Sequence, residues 1–273
     1  MRRIVLLAIA CVLLIGLSLS GCDSTPAGDP VVTFLDPNLE AVIREALNKP
    51  SEPIYASELA GLGSLSAADR GIENLSGLQY CTNLTWLDLG FNQIGDVSPL
   101  ANLTNLTYLV LEFNLKIGDI SPLANLTNLE TLDLDANQIS DISSLANLTR
   151  LTKLFMYSNQ ISDISPLAGL TNLTWLYLHT NQISDISSLA NLTNLTELYF
   201  DANQISDVSS LANLTNLTML RLGYNQINNI NPLVQNEGLG PGDAVWLDGN
   251  PLSSDSINIY IPQLEARGVG VIH

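Results

Sequence analysis

The sequence predicts an α/β repeat solenoid: short strands stack into one parallel sheet, 3₁₀-like returns run along the outer side, and a helix caps the amino end. Three observations lead there. The pattern Asn-Leu-Thr-x-Leu-x-Leu-x-x-Asn-Gln-Ile-Ser-Asp-Ile-Ser-x-Leu-Ala returns through residues 83–235. The central asparagines, Asn92, Asn114, Asn137, Asn159, Asn181, Asn203 and Asn225, are 22 residues apart in every interval except Asn114 to Asn137, which is 23. A fixed period of this length marks a stack of identical small units. Within each copy the apolar spacing changes from two to three. Leu176 and Leu178 alternate with Trp175, Tyr177 and His179, as in a half-buried strand. Ile183, Ile186, Leu189 and Leu192 then recur every third residue, which suits a 3₁₀ return. One copy cannot bury its own leucines, whereas stacked copies share one continuous core.

The polar residues of the unit follow from the same arrangement. An asparagine side chain both donates and accepts, so it can satisfy backbone groups at the turn that leaves the strand. In register, the seven form a ladder. Asp96, Asp119, Asp141, Asp163, Asp185 and Asp207 also recur in register and read as turn and cap residues. Ser98-Pro99, Ser121-Pro122 and Ser165-Pro166 open several returns. Serine is expected there as the cap and proline at the first helical position.

This unit resembles the leucine-rich repeat superfamily, and within it the 22-residue class of the bacterial internalins. The resemblance covers roughly residues 34–273 with the ends counted as caps. It implies a right-handed horseshoe with a concave parallel sheet and a convex side of 3₁₀ turns, used to bind another macromolecule. It names no particular ligand.

The chain divides in order. Residues 1–21 carry Arg2 and Arg3 and then an apolar run from Ile4 to Leu19, the form of a signal peptide. The run ends in Leu19-Ser20-Gly21-Cys22, which resembles a bacterial lipobox and implies lipidation of Cys22. Residues 22–30, with Pro26 and Pro30, read as a linker. Residues 31–82 read as a cap and a degenerate repeat. A helix is expected from Asp36-Pro37, with Leu39, Val42, Ile43, Ala46 and Leu47 on one face. Residues 83–235 are the repeats, and residues 236–273 a last repeat and closing cap. In that last part Ser254 to Arg267 reads as a helix in two pieces broken at Pro262, with Gly268 as its stop and a strand around Val269 and Val271. Cys81 is left without a partner cysteine and reads as a small core residue.

The ten Asn-Leu-Thr triplets match a glycosylation acceptor, but they are the repeat itself.

Strand alternation selects the outward side chains at six, four and two residues before each asparagine. All three tryptophans, Trp86, Trp175 and Trp246, fall in these columns. So do Tyr108, Phe155, Tyr157, Tyr177, His179 and Tyr199. Adjacent strands are about 4.8 Å apart, so Phe155, Tyr157, Trp175, Tyr177, His179 and Tyr199 are expected as one exposed aromatic patch. Asp88, Glu112, Asp133 and Asp135 lie on its amino-terminal side, and Asp133 and Asp135 are expected to act as rim charges. A large exposed apolar patch marks a contact site, and interfaces favour tyrosine and tryptophan.

Charge narrows the partner. With 27 acidic and 10 basic residues the net charge is −17. Such a chain repels nucleic acid and anionic headgroups. Its only membrane contact is expected through the lipid on Cys22. There is no phosphate loop, nucleophile elbow or paired-histidine motif, so neither catalysis nor a metal or other cofactor is expected. The leading reading is an extracytoplasmic, lipid-anchored module that binds a basic or neutral protein surface. A carbohydrate-binding envelope module and a scaffold without a specific ligand are the alternatives.

Overall fold

The structure is a computed structural model and describes residues 28–273. The signal segment 1–21, Cys22 and most of the linker lie outside the described residues. Ten three-residue strands form one parallel sheet in chain order. They are β1 (Ser64–Ser66), β2 (Trp86–Asp88), β3 (Tyr108–Val110), β4 (Thr131–Asp133), β5 (Lys153–Phe155), β6 (Trp175–Tyr177), β7 (Glu197–Tyr199), β8 (Met219–Arg221), β9 (Ala244–Trp246) and β10 (Gly270–Ile272). The register is uniform: Leu87, Leu109, Leu132, Leu154, Leu176, Leu198 and Leu220 pair in succession at the strand centres. Each is fully buried. Together with the leucines and isoleucines of the returns they make one continuous core along the stack. The returns include five 3₁₀ helices, Ser121–Asn125, Ser143–Asn147, Ser165–Gly169, Ser187–Asn191 and Ser209–Asn213. Strands on one side and bulkier 3₁₀ turns on the other make the horseshoe.

The asparagine ladder is built as the spacing predicts. The amide of Asn159 donates to the carbonyls of Leu134, Met156 and Tyr157 at 3.0–3.2 Å. Its oxygen accepts the N–H of Ile139 from the preceding copy at 3.0 Å. Each asparagine thus joins two repeats. Asn181 is half-buried, whereas the other six are buried. The long interval breaks the ladder once. The extra residue after Asn114 displaces Ile117 from its place in the pattern, and the oxygen of the buried Asn137 accepts no hydrogen bond. Just before each asparagine the backbone turns left-handed, at Phe91, Phe113, Ala136, Ser158, Thr180, Ala202 and Tyr224. Side chains other than glycine adopt that conformation at a cost. Here each N–H is held by the next copy, as Ala136 N–H is by the carbonyl of Tyr157 at 2.8 Å.

The aspartates are turn residues, with one change of role. Asp141 accepts the N–H of Ser143 at 2.8 Å, and the five equivalents do the same with Ser98, Ser121, Ser165, Ser187 and Ser209. The aspartate carboxylate, not the serine hydroxyl, satisfies the start of the turn. Serine is therefore the first helical residue and proline the second. The triplets gain a structural reason as well: Asn105, Asn172, Asn194 and Asn216 donate to backbone carbonyls of the preceding copy at 2.8–2.9 Å.

The amino end is closed by α1 (Pro37–Leu47) and the short α2 (Ala56–Ala60). Asp36 holds the cap to the solenoid. Its Oδ1 accepts the N–H groups of Asn38 and Leu39, and its Oδ2 those of Glu73 and Asn74. Burial pushes its carboxyl up, but these four bonds outweigh that and hold it below the usual carboxylate range. Phe34 packs on Gly77, where a Cβ would come within 2.4 Å of the ring. The end of the expected linker belongs to this cap: Asp29 accepts from the N–H and hydroxyl of Ser57, and the carbonyl of Pro30 accepts from Ala56. Cys81 is fully buried among apolar neighbours, which pushes its thiol up to about 12.

At the carboxyl end α3 (Asn231–Gln235) precedes β9. The helix expected to break at Pro262 is continuous. A π turn, Ser256–Tyr260, leads into α4 (Ile261–Ala266). The wider turn accommodates the proline ring that would clash with an α-helical carbonyl. Arg267 fixes this cap by donating to the carbonyls of Val234, Asn236 and Leu239. β10 then completes the sheet, at the position expected from Val271. No helix among the described residues is long and apolar enough to cross a membrane.

Candidate functional site: the concave sheet face

The strand pleat puts all the predicted aromatic residues on the face opposite the leucines. What they do there differs from the expectation of an exposed patch. Trp86, Tyr108, Phe155, Tyr157, Trp175, Tyr177, His179, Tyr199 and Trp246 are each half-buried. They cover one another. Tyr177 and Tyr199 stack at 4.0 Å with their planes 2° apart. Tyr157 and His179 stack at 4.6 Å, and Trp175 lies parallel to Tyr177 at 6.4 Å. Phe155 stands edge-on to both Trp175 and Tyr177. A separate pair, Trp86 and Tyr108, stacks at 5.7 Å. Trp246 joins neither group and lies under Arg221.

Polar and charged neighbours fix this surface. The hydroxyl of Tyr177 donates to Glu197 at 2.5 Å. Burial, then this bond, drives its pKa far up. The ammonium of Lys153 sits over the Trp175 ring at 3.8 Å. Arg221 pairs with Asp201 at 3.0 Å and lies over the rings of Tyr199 and Trp246. His179 has a buried Nδ1 without a hydrogen-bond partner. Burial lowers its pKa, Asp201 raises it and Arg221 lowers it, and the balance is downward, so the ring is neutral at pH 7.

The acidic group is not a rim. Asp135 is 9% exposed. Asp133, Glu112 and Asp88 are half-buried. Oxygen atoms of Glu112, Asp133 and Asp135 lie within 4.8 Å of one another. Burial first, and then the neighbouring Asp133, push Asp135 up to about 8, against a bond from Tyr157 N–H. Asp133 is pushed up to about 6 by burial and by Glu112 and Asp88, against a bond from Asp135 N–H. Glu112 rises through burial and Asp88. Val110, expected to point outward, is buried on this floor between Asp88 and Asp133. Three converging carboxylates are a hard-cation donor set in kind. His179 lies outside that group.

Two residues of this surface do not stand out in the period-two reading. Phe91 and Phe113 stack at 4.7 Å, and Phe113 meets Tyr157 edge-on at 6.0 Å. Both occupy the left-handed position one residue before the asparagine, which ends the alternation and turns the side chain back toward the sheet face. Aromatic residues recur at that position at Phe91, Phe113 and Tyr224, and this was the available signal.

With the geometry described, comparison with known proteins gives the family. The family profile described as "Leucine Rich repeats (2 copies)" matches in six overlapping windows that together span residues 82–235. The fold is similar to that of internalin C2 from Listeria monocytogenes, with 38% identity and a TM-score of 0.72. That match covers 83% of this chain and 98% of the other. It is also similar to an internalin, InlF, from the same species, with 29% identity and a TM-score of 0.55, covering 88% of this chain and 91% of the other. Among curated proteins none matches. The repeat, its period and these likenesses agree: the chain belongs to the leucine-rich repeat family, as an internalin-like member whose fold is that of a protein-binding repeat domain.

Proposed function

We propose that the protein is an extracytoplasmic binding module, tethered to a bacterial membrane by a lipid on Cys22, that recognises a protein partner through the aromatic and acidic concave face. One observation carries the reading. Six neighbouring residues of β5, β6 and β7 and the turns after them, Phe155, Tyr157, Trp175, Tyr177, His179 and Tyr199, form one connected ring network on the side of the sheet that no core covers. Rigid aromatic surface of this kind is what interface hot spots are made of. Mutual stacking preorganises it, so little side-chain entropy is lost on binding.

The packing favours protein over carbohydrate. Sugar recognition needs a free ring face. Here Tyr177 and Tyr199 cover each other, Tyr157 covers His179, and Lys153 covers Trp175. Each of these contacts takes up a ring face, and the Lys153 and Arg221 charges and the Tyr177 hydroxyl set among the rings suit side chains of a partner. The test is affinity capture from host and bacterial extracts with three forms of the chain: wild type, Trp175→Ala with Tyr177→Ala, and Ser187→Ala with Ser209→Ala on the convex turns. A protein captured by the first and third but not the second supports the reading. Binding of the wild type to a glycan array that is lost in the concave variant counts against it.

A further inference from the structure

The two ends of the sheet are finished differently. At the amino end β1 exposes only Ser64 and Ser66, and its core residue Leu65 is buried in one cluster with Leu39, Val42 and Ile43 of α1 and Leu59 of α2. At the carboxyl end the core residue of β10, Val271, is half-buried, whereas Val245, its neighbour in β9, is fully buried. Ile272 is 44% exposed, and Ile257 and Ile259 of the π turn in the same layer are 43% and 46% exposed. Every other isoleucine among the described residues is buried. Exposed isoleucine is therefore confined to the last layer of the stack, where a solenoid needs a polar outer face to stay soluble. β10 also carries no charge to guard its edge.

The free edge of β10 has a defined hydrogen-bonding pattern. Gly270 N–H donates to the carbonyl of Asp243 at 2.8 Å, and the carbonyl of Ile272 accepts from Leu247 N–H at 2.6 Å, so these two residues face β9. Successive strand residues alternate in this respect, so Val271 points its N–H and C=O the other way, where no described residue bonds to them. A donor and an acceptor on one residue are self-complementary. Two antiparallel copies centred on Val271 exchange both bonds about a twofold axis. The same register sets Ile272 of each copy opposite Gly270 of the other. The flank of Gly270 is open, since a Cβ there would meet only the Asp243 carbonyl, at 3.6 Å. A head-to-tail join to β1 offers no such fit, because Ser64 and Ser66 flank that edge and Leu65 is already covered.

We propose that the protein self-associates as an isologous dimer through β10, with Ile272 packed over Gly270 of the second copy and Ile257 and Ile259 completing the apolar contact. The twofold stands perpendicular to the sheet. The two ten-stranded sheets then run on as one, and both concave faces look the same way. The dimer does not depend on what the concave face binds.

The experiment is sedimentation velocity of the full chain in a non-ionic detergent, from about 1 to about 300 μM, because one strand edge and a few isoleucines make a small, weak interface. The expected result is a monomer–dimer equilibrium with no larger species. With a net charge of −17 the copies repel, so raising salt from about 0.05 to about 0.5 M is expected to tighten the dimer several-fold. Val271→Pro removes the outward N–H and leaves the bonds to β9 in place. Ile272→Lys replaces the exposed isoleucine with a charge. Each is expected to weaken the dimer at least tenfold, and Ile272→Lys, at an exposed site, keeps the fold even if the proline does not. Ser64→Lys makes the same change of charge at the β1 edge and is expected to stay within twofold of wild type. A wild-type chain that is monomeric throughout overturns the proposal. So does association that survives Ile272→Lys, which places it on the lipid or another face. Equal loss in Ser64→Lys also overturns it, since the join is then head-to-tail. Trp175→Ala with Tyr177→Ala leaves β10 intact, so it is expected to lose partner capture and keep the dimer, and the two readings fail separately.

Discussion

Phe113 and Tyr157 belong to repeats two apart, yet their rings meet edge to face with centroids 6.0 Å apart. They close over the intervening repeat, and the two residues of that repeat beneath them, Asp135 and Ala136, are buried. A carboxyl group is thereby held in a poorly solvated place beside Asp133 and Glu112, which is why it stays protonated to about pH 8.

This gives a pH dependence with a definite sign. A carboxyl raised in the folded state contributes its stability below the unfolded pKa of about 4 and loses it as pH rises through the folded value. For Asp135 that window runs from about 4 to about 8. Asp135→Asn is expected to match wild type near pH 4 and to exceed it at pH 9 by roughly 1–3 kcal/mol. Urea unfolding at the two pH values measures the difference. A variant less stable than wild type at pH 9 would show that the ionised carboxylate is well accommodated.

Asp36 predicts the opposite sign. Its carboxyl is depressed in the folded state by four backbone N–H bonds. Its contribution is present above about pH 4 and is lost as pH falls through the lower folded value. Acid is therefore expected to free the cap before the repeats. Hydrogen exchange at pH 3 should open Pro37–Leu47 ahead of the β5–β7 strands. Asp36→Ala should reproduce that local opening at pH 7, at a cost of about 1–2 kcal/mol.

Two asparagines with one role should differ in cost. Asn159 uses both its amide and its oxygen. Asn137 uses its amide but has an unpaired oxygen. Asn159→Ala is expected to lose roughly 1–3 kcal/mol and Asn137→Ala about 1 kcal/mol less, since one bond fewer is broken. Leu154→Ala, which opens a cavity in the shared core, should cost roughly 2–5 kcal/mol. Urea midpoints compare the three. Equal losses at the two asparagines would mean the long interval does not weaken the ladder.

Much of this was legible in the sequence, and the exceptions have physical reasons. The period located every strand from β2 to β8, because Leu87 through Leu220 must share one register to bury together. The asparagine and aspartate roles followed from the same repetition. Burial on the concave face was not legible. Alternation says which way Tyr177 or Asp135 points, but not that Tyr199 will lie on the one or that Phe113 and Tyr157 will close over the other. Those contacts join copies that the period treats as equivalent. The disorder of the pattern at Leu115 and Lys116 was visible as a spacing of 23, yet its effect falls on Asn137 in the next copy. The cap strand β1 was missed because Ser64-Leu65-Ser66 offers a single leucine to the pattern.

Lipidation is the simplest expectation. Metabolic labelling with a palmitate analogue should mark the wild-type chain and leave Cys22→Ala unlabelled. Recovery of unlabelled wild-type protein from the medium would contradict the tether.

The central claim, binding through the concave aromatic face, is tested most directly by the affinity of a captured protein partner for Trp175→Ala with Tyr177→Ala. Because the rings stack on Phe155 and Tyr199, this variant should lose roughly 1–4 kcal/mol of stability while the leucine core keeps it folded. With folding confirmed by circular dichroism, the predicted result is a dissociation constant raised at least thirtyfold, about 2 kcal/mol, which is the mark of a hot spot. Ser187→Ala with Ser209→Ala should leave it unchanged. A folded concave variant that binds as tightly as this convex control would contradict the account and move the site to the caps or the outer turns.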